Sequence, residues 1–233
     1  ALLALLLGVF TLLIVLSTQW EAESKITKIR VDGASIIPDK DVIALVAHEA
    51  LNKPKSRINL EKLQDLAEEH PYIANSSAIY GSSGEIILKV EERTPLAIMT
   101  RDDGNLNFLD IEGRILPYRI FSGIPDLPFL RNFTKGREIK KEALKNAIYI
   151  MKHLKNEDYE EILLDVSEII FEDEFDTFRI RTVQKDQLIL FGRAQKIDAK
   201  IERLNVFRKY LKSKEEEGIK RIDLRWNDRV VVS

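Results

Sequence analysis

The sequence predicts an α+β protein: a single N-terminal transmembrane helix, a small α/β module, then a mostly antiparallel β-rich domain with two helices. Three observations carry that reading. The first twenty residues, ALLALLLGVFTLLIVLSTQW, contain no charged side chain. Residues from about 25 to 93 run strand, helix, helix, strand, strand by their apolar spacing. From Thr94 onward short alternating segments dominate, and only two long stripes have helical spacing.

The N-terminal run is long enough to span a bilayer, which takes roughly 20 mostly apolar residues. Leu2, Leu5, Phe10 and Leu13 fill it, and Trp20 ends it where an indole ring suits the membrane–water interface. A cleaved signal peptide has a shorter apolar region, about 7–15 residues, and a small-residue cleavage motif. The following QWEAES is a poor one. An uncleaved anchor is therefore expected over 1–20, with the remainder on one side of the membrane.

In the module, KITKIRVDGASIIP reads as a strand followed by an Asp-Gly turn. Val42, Ile43, Val46 and Ala50 form one helical stripe, and Lys53-Pro54 breaks it. Asn59 is a good N-cap for a second helix carrying Leu60, Leu63 and Ala67. SSAIYGSSGEIILKVEER then reads as two strands around a Gly-Ser turn. Two helices laid on three strands would close one small core.

In the larger domain, PLAIMTRDDGNLNFLDIEGRILPY reads as a three-stranded meander, and FSGIPDLPFLRNFTKG as a loop. A helix is expected over 138–156. The segments ILLDVSEIIF, DTFRIRTV and QLILFG read as strands, followed by a helix over about 194–213. In IKRIDLRWNDRVVVS, Ile222, Leu224 and Trp226 alternate with Arg221, Asp223 and Arg225, so a strand is expected there. Asn227-Asp228 would reverse the chain, and Val230–Val232 would return beside that strand as an uncovered sheet edge.

Composition narrows the chemistry. Zero cysteines exclude disulfides, thiol catalysis and thiolate metal sites. A net charge of -2 offers no global basic face for nucleic acid. His48, His70 and His153 lack metal-ligand spacing, so no metal or cofactor is expected. No phosphate loop, nucleophile elbow or dinucleotide fingerprint is present. The acidic runs EEHP, KVEER, FEDEFD and KEEEG read as solvated surface, although paired acids in a cleft would suit an anchored wall hydrolase. The basic cluster Lys135, Arg137, Lys140, Lys141 and Lys145 reads as the polar side of a helix that could meet anionic lipid or a carboxylate-rich partner.

Several segments, in order, carry a resemblance. IRVDGASIIPDKDVIALV resembles the start of a POTRA domain, with Ala34 where that pattern has Asn. HPYIANSSAIYGSSGEIILKVEERTPLAIM resembles a pattern ending E-R-x-P-x-A, matched by Glu92, Arg93, Pro95 and Ala97, with Tyr72 in place of Trp. NFLDIEGRIL, IPDLPFLRN (Asn132 for Gly), LILFG and IKRIDLRWNDRVVV resemble the remaining motifs of the FtsQ/DivIB family of bacterial cell-division proteins. The resemblance implies a POTRA-like domain over 25–93 and an FtsQ-type β domain over 94–233. It implies a non-enzymatic, single-pass scaffold of the bacterial cytoplasmic (inner) membrane, with its bulk periplasmic at the division septum. It would help recruit or regulate septal peptidoglycan synthesis.

Its partners would be FtsB-like and FtsL-like proteins. Family members receive an FtsB strand at the end of the β domain, so Arg225, Trp226, Arg229, Val230, Val231 and Val232 become the expected partner-binding residues. Trp226 reads equally as core packing under the last helix, and Arg225 equally as a solvated strand residue. Glu92-Arg93 reads as structural. A POTRA-type assembly or secretion module is the alternative within binding proteins.

Overall fold

The computed structural model describes residues 7–13, 23–82, 84–120, 126–214 and 218–233. Residues 7–13 are helical, with Phe10 and Leu13 exposed. Among the described residues no helix is long and apolar enough to cross a membrane. The expected span over 1–20 falls largely outside them, as do Leu2, Leu5 and Trp20. The chain divides between Arg93 and Thr94 into two compact units.

The first unit runs β1 (Lys28–Asp32), α1 (Asp39–Ala50), α2 (Leu60–Glu68), β2 (Ile73–Tyr80) and β3 (Glu85–Glu92). The sheet order is β1-β3-β2, with β1 parallel and β2 antiparallel to β3. Period-2 alternation buries Ile29, Val31, Ile86, Leu88 and Val90 on the strands, and the helices bury Val42, Val46, Leu63 and Ala67. The Asn59 side chain accepts from the Lys62 amide at 3.2 Å, capping α2 as its position predicts.

Two residues join β3 to the turn before α1. Gly33 has φ +95°, and a Cβ there would stand 2.3 Å from the Val90 carbonyl oxygen, so only glycine fits. Two residues further along β3, the Glu92 carboxylate accepts from the amides of Ser35 (2.9 Å), Ile36 (2.8 Å) and Ile37 (2.8 Å), and from Ser35 Oγ (2.7 Å). Burial alone would raise the Glu92 pKa. The bonds from Ile37, Ser35 and Ile36 outweigh it and hold the carboxyl below its usual 4.5. The structural role expected of Glu92 thus lies in this turn.

The second unit is built on a nine-stranded sheet, in the order β14-β13-β12-β11-β10-β7-β4-β5-β6 among the described residues. The strands are β4 (Pro95–Thr100), β5 (Leu106–Asp110), β6 (Ile115–Pro117), β7 (Phe129–Arg131), β10 (Val166–Glu172), β11 (Thr177–Thr182), β12 (Leu188–Gly192), β13 (Arg221–Asp223) and β14 (Val231–Val232). A small hairpin, β8 (Thr134–Lys135) with β9 (Glu138–Ile139), stands apart. The helices are α3 (Lys141–Leu154), α4 (Glu160–Asp165) and α5 (Ile197–Lys214).

Pairing is mostly antiparallel. The parallel joints are β4–β7, β7–β10 and β12–β13. Parallel neighbours need a long crossover. The chain makes the last two through α3–α4 and through α5, which puts both long helices on connections. Their apolar stripes (Ala147, Ile150 and Met151; Ile201 and Leu204) share one core with the sheet.

The β-rich domain departs from the sequence reading in three places. The expected strand ILLDVSEIIF opens instead as the six-residue helix α4, so three helices rather than two are present among the described residues of this domain. A short apolar run does not reveal its own period. Here Asp165 decides it, being 3% exposed at the helix end. Its carboxylate accepts from the Gln184 amide (2.8 Å) and from Arg208 Nη2 of α5 (2.8 Å), and its carbonyl from the Val183 amide (2.7 Å). Second, the Pro- and Gly-rich loop contains β7, which lies inside the sheet between β4 and β10. Third, the expected helix over 138–156 is shorter, because Glu138–Ile139 pair in the small hairpin.

Replacing Glu92 by Gln should destabilise the first unit by about 1–2 kcal/mol near neutral pH, the lower range because the carboxylate is only part-buried. Its folded pKa lies below the usual value, so its stabilisation is present above 4.5 and is lost as pH falls through the folded value. Urea unfolding of both proteins should show the difference shrinking on acidification. Asp165→Ala strands the mostly buried Arg208 guanidinium and should cost about 3 kcal/mol. Adding Arg208→Ala to it should cost less than the two single losses summed, by the same measurement.

Candidate functional site: the outer edge of the large sheet

The sheet ends at the hairpin of β13 and β14. Ile222 and Leu224 are fully buried, and Ile222 sits beside Ile189 of β12. The chain then reverses, and β14 returns with Val232 opposite Ile222 and Val231 opposite Asp223. Arg221 and Ser233 exchange two N–H···O bonds, 2.9 and 3.2 Å. Antiparallel ladders alternate between bonded and outward-facing residues. The next residue, Val232, therefore turns its N–H and C=O away from β13, and Val230 does the same. Among the described residues no strand covers that outer side.

The side chains divide by face. Val230 packs against the core. Val231 and Val232 are 43% and 41% exposed, and Trp226 is 55% exposed. The alternation that would place Trp226 with Ile222 and Leu224 stops at Leu224, because β13 ends at Asp223 and the chain turns. The core-packing reading of Trp226 does not apply: its indole stands in solvent beside the edge.

Arg225 is not a free strand residue. Its Nε donates to Asp223 Oδ1 at 2.9 Å and its Nη2 to Oδ2 at 2.6 Å, and its backbone N–H also reaches Oδ1 at 3.0 Å. These bonds hold the Asp223 carboxyl below its usual 3.8 against the opposing effect of burial, and they raise the Arg225 pKa. The aliphatic stem of Arg225 lies over Gly192, whose φ is +76°; a Cβ there would stand 2.9 Å from Arg225 Cγ. The glycine ending LILFG and the arginine of IDLRW are thus one packing unit.

From α5, Arg203 donates to the Asn227 carbonyl and, at 3.4 Å, to the Leu224 carbonyl, clamping the reversal. Lys200 is buried and donates to the carbonyls of Phe191 (2.9 Å) and Arg193 (2.7 Å). Burial and the neighbouring Arg203 charge bring its pKa down to about 8. With Arg193, Lys196, Arg225 and Asn227 it lines an electropositive cleft of about 350 Å³. Arg229 pairs with its neighbour Asp228, both exposed.

Sequence reasoning reached the edge residues but not Asp223, Arg203 or Lys200. The Asp223–Arg225 pair had a legible signal, since residues two apart on a strand share a face. The α5 residues had none, because their carbonyl partners are tertiary neighbours. The other candidates are scattered. His48 lies beside Glu49, His70 accepts from the Tyr72 amide, and His153 meets Asp198 at 3.2 Å. The FEDEFD acids form the β10–β11 turn, where Glu172 is tied to Thr177 and Arg179.

Arg225→Ala should expose this pairing. It leaves the Asp223 carboxylate with no side-chain donor and should cost about 1–3 kcal/mol near neutral pH. The pair's stabilisation is present above 3.8, the usual Asp value, and is lost as pH falls through the lower folded value. Thermal melts across the acid range should show wild type and variant converging at the acid end.

No curated protein matches the chain. The family model described as FtsQ/DivIB, C-terminal related, matches residues 95–233. That span runs from the first residue of β4 through the β13–β14 hairpin and is more than half of the sequence. The chain belongs to the FtsQ/DivIB C-terminal related family.

Proposed function

We propose that this protein is a membrane-anchored scaffold of the bacterial division machinery, which binds FtsB-like and FtsL-like partners outside the cytoplasmic membrane. Membership in the FtsQ/DivIB family suggests a role in cell division, and the open β14 edge within the matched region carries the reading. The first twenty residues serve as the anchor, and the first unit as a POTRA-like module. The scaffold helps recruit or regulate septal peptidoglycan synthesis and performs no catalysis of its own.

The binding step is strand addition. A partner strand would bond the outward N–H and C=O of Val232 and Val230, which are otherwise left to water. Trp226 and Val231 supply exposed apolar surface beside it. A guanidinium has five donors. Asp223 takes those of Nε and Nη2 in Arg225, so Nη1 can meet a partner carboxylate. Arg229 adds exposed positive charge at the same rim.

Val232→Pro tests this directly. The outward N–H of Val232 makes no bond to β13, so proline removes the donor offered to a partner without removing a hydrogen bond of the hairpin. The full chain, its Val232→Pro variant and a truncation ending at Asn227 would be titrated with the extracytoplasmic part of the same organism's FtsB-like protein, with and without the FtsL-like one. Tight binding by the full chain, lost on truncation and weakened at least about tenfold by Val232→Pro, is expected; Trp226→Ala should weaken it by about 1–2 kcal/mol. Binding that survives both edge changes would move the site elsewhere. No binding by the intact chain, even with the FtsL-like protein, would remove the partner assignment.

A further inference from the structure

At the other end of the sheet a groove of about 610 Å³ runs between α3 and the β5–β6 turn. Its floor is apolar: Ile115, Ile139 and Ile148 are half-buried, and Leu144 is buried. Lys141, Lys145 and Lys152 stand along its α3 lip, in the first, second and fourth turns of the helix and on one stripe with Ile148. All three are exposed, and none has an ionic or hydrogen-bonding partner among the described residues. Lys140, of the same basic cluster, is by contrast occupied: it donates to the Asn132 carbonyl at 3.0 Å and lies 3.5 Å from Asp173. Glu112 is the acidic residue on the opposite lip.

We propose that this groove docks an amphipathic helix of a partner protein carrying carboxylates along one flank. Charge chooses the flank, because three unpaired ammonium groups line one lip. Shape chooses a helix. The half-buried isoleucines line a concavity, which suits a ridge of side chains spaced three and four residues apart. A flat lipid surface would need apolar side chains that project. A strand is disfavoured as well: β6, the adjacent sheet edge, has three residues and ends in Pro117, which lacks an N–H. The groove shares no lining residue with the β13–β14 hairpin or with the cleft beside it. This is therefore a second surface, independent of the β14 site.

The probe is a labelled peptide of about sixteen residues, with leucines at helical spacing and glutamates on one flank. It would be titrated against the full chain held in phosphatidylcholine nanodiscs. Saturable binding is expected, weakened at least about tenfold by the combined Lys141→Glu, Lys145→Glu and Lys152→Glu changes and by about 0.5 M salt. It should be unmoved by Val232→Pro. The three lysines are exposed, so an unchanged thermal melt would confirm that the reversed variant is folded. A peptide that fails to saturate below about 1 mM overturns the proposal, as does binding indifferent to charge reversal. Lysine-dependent sedimentation with phosphatidylglycerol vesicles, without peptide binding, would overturn it in favour of a lipid surface.

Discussion

One row of side chains organises the large sheet. Met99, Leu130, Ile169, Ile180, Ile189 and Ile222 stand in register on neighbouring strands from β4 to β13. Each is 0–1% exposed. A slip of one residue at any joint would turn every later member to the opposite face. The row thus sets the register of six strands at once, and each buried isoleucine or leucine contributes about 1.5–3 kcal/mol. The two long helices have to cover it, which explains why they sit on the crossovers of the parallel joints. The row's last member is Val232, opposite Ile222 and 41% exposed. The core pattern therefore continues to the rim of the sheet.

The two ends of the sheet are treated differently. Natural sheets blunt their edges with short strands, proline or charge. At β6 the strand is short and closes on Pro117. At β14 the strand is also short, but its residues are valines with exposed side chains and an outward backbone. Charge gathers beside it rather than on it, in Arg225, Arg229, Lys196 and Lys200. The edge is thus apolar at its centre and basic at its rim.

Polar groups close the turns that the apolar row leaves open. Three carboxylates do similar work: Glu92 gathers the amides before α1, Asp165 joins α4 to α5 and the β11–β12 turn, and Asp223 holds Arg225. Each accepts from backbone N–H groups that would otherwise be unsatisfied near a core. In the edge hairpin this matters for geometry as much as for stability. The Asp223–Arg225 pair, Gly192 beneath it and Arg203 above it fix where Trp226 and β14 emerge.

Much of this was legible in the residues themselves. Period-2 and period-3.6 patterns determined the strands of the first module, the Asn59 cap, the two long helices and the β13 strand, because those signals depend only on neighbours along the chain. The family resemblance rested on ordered local motifs and is matched over 95–233. What the tertiary structure alone decided was of another kind. It made Ile162–Asp165 a helix end, because a buried Asp165 needed Arg208 from α5. It drew Phe129–Arg131 out of a Pro-rich loop into the sheet, because the β4–β10 gap supplied partners on both sides. It turned Trp226 outward where alternation along the chain put it inside. In each case the deciding partner lies far away in sequence, and a local period carries no record of it.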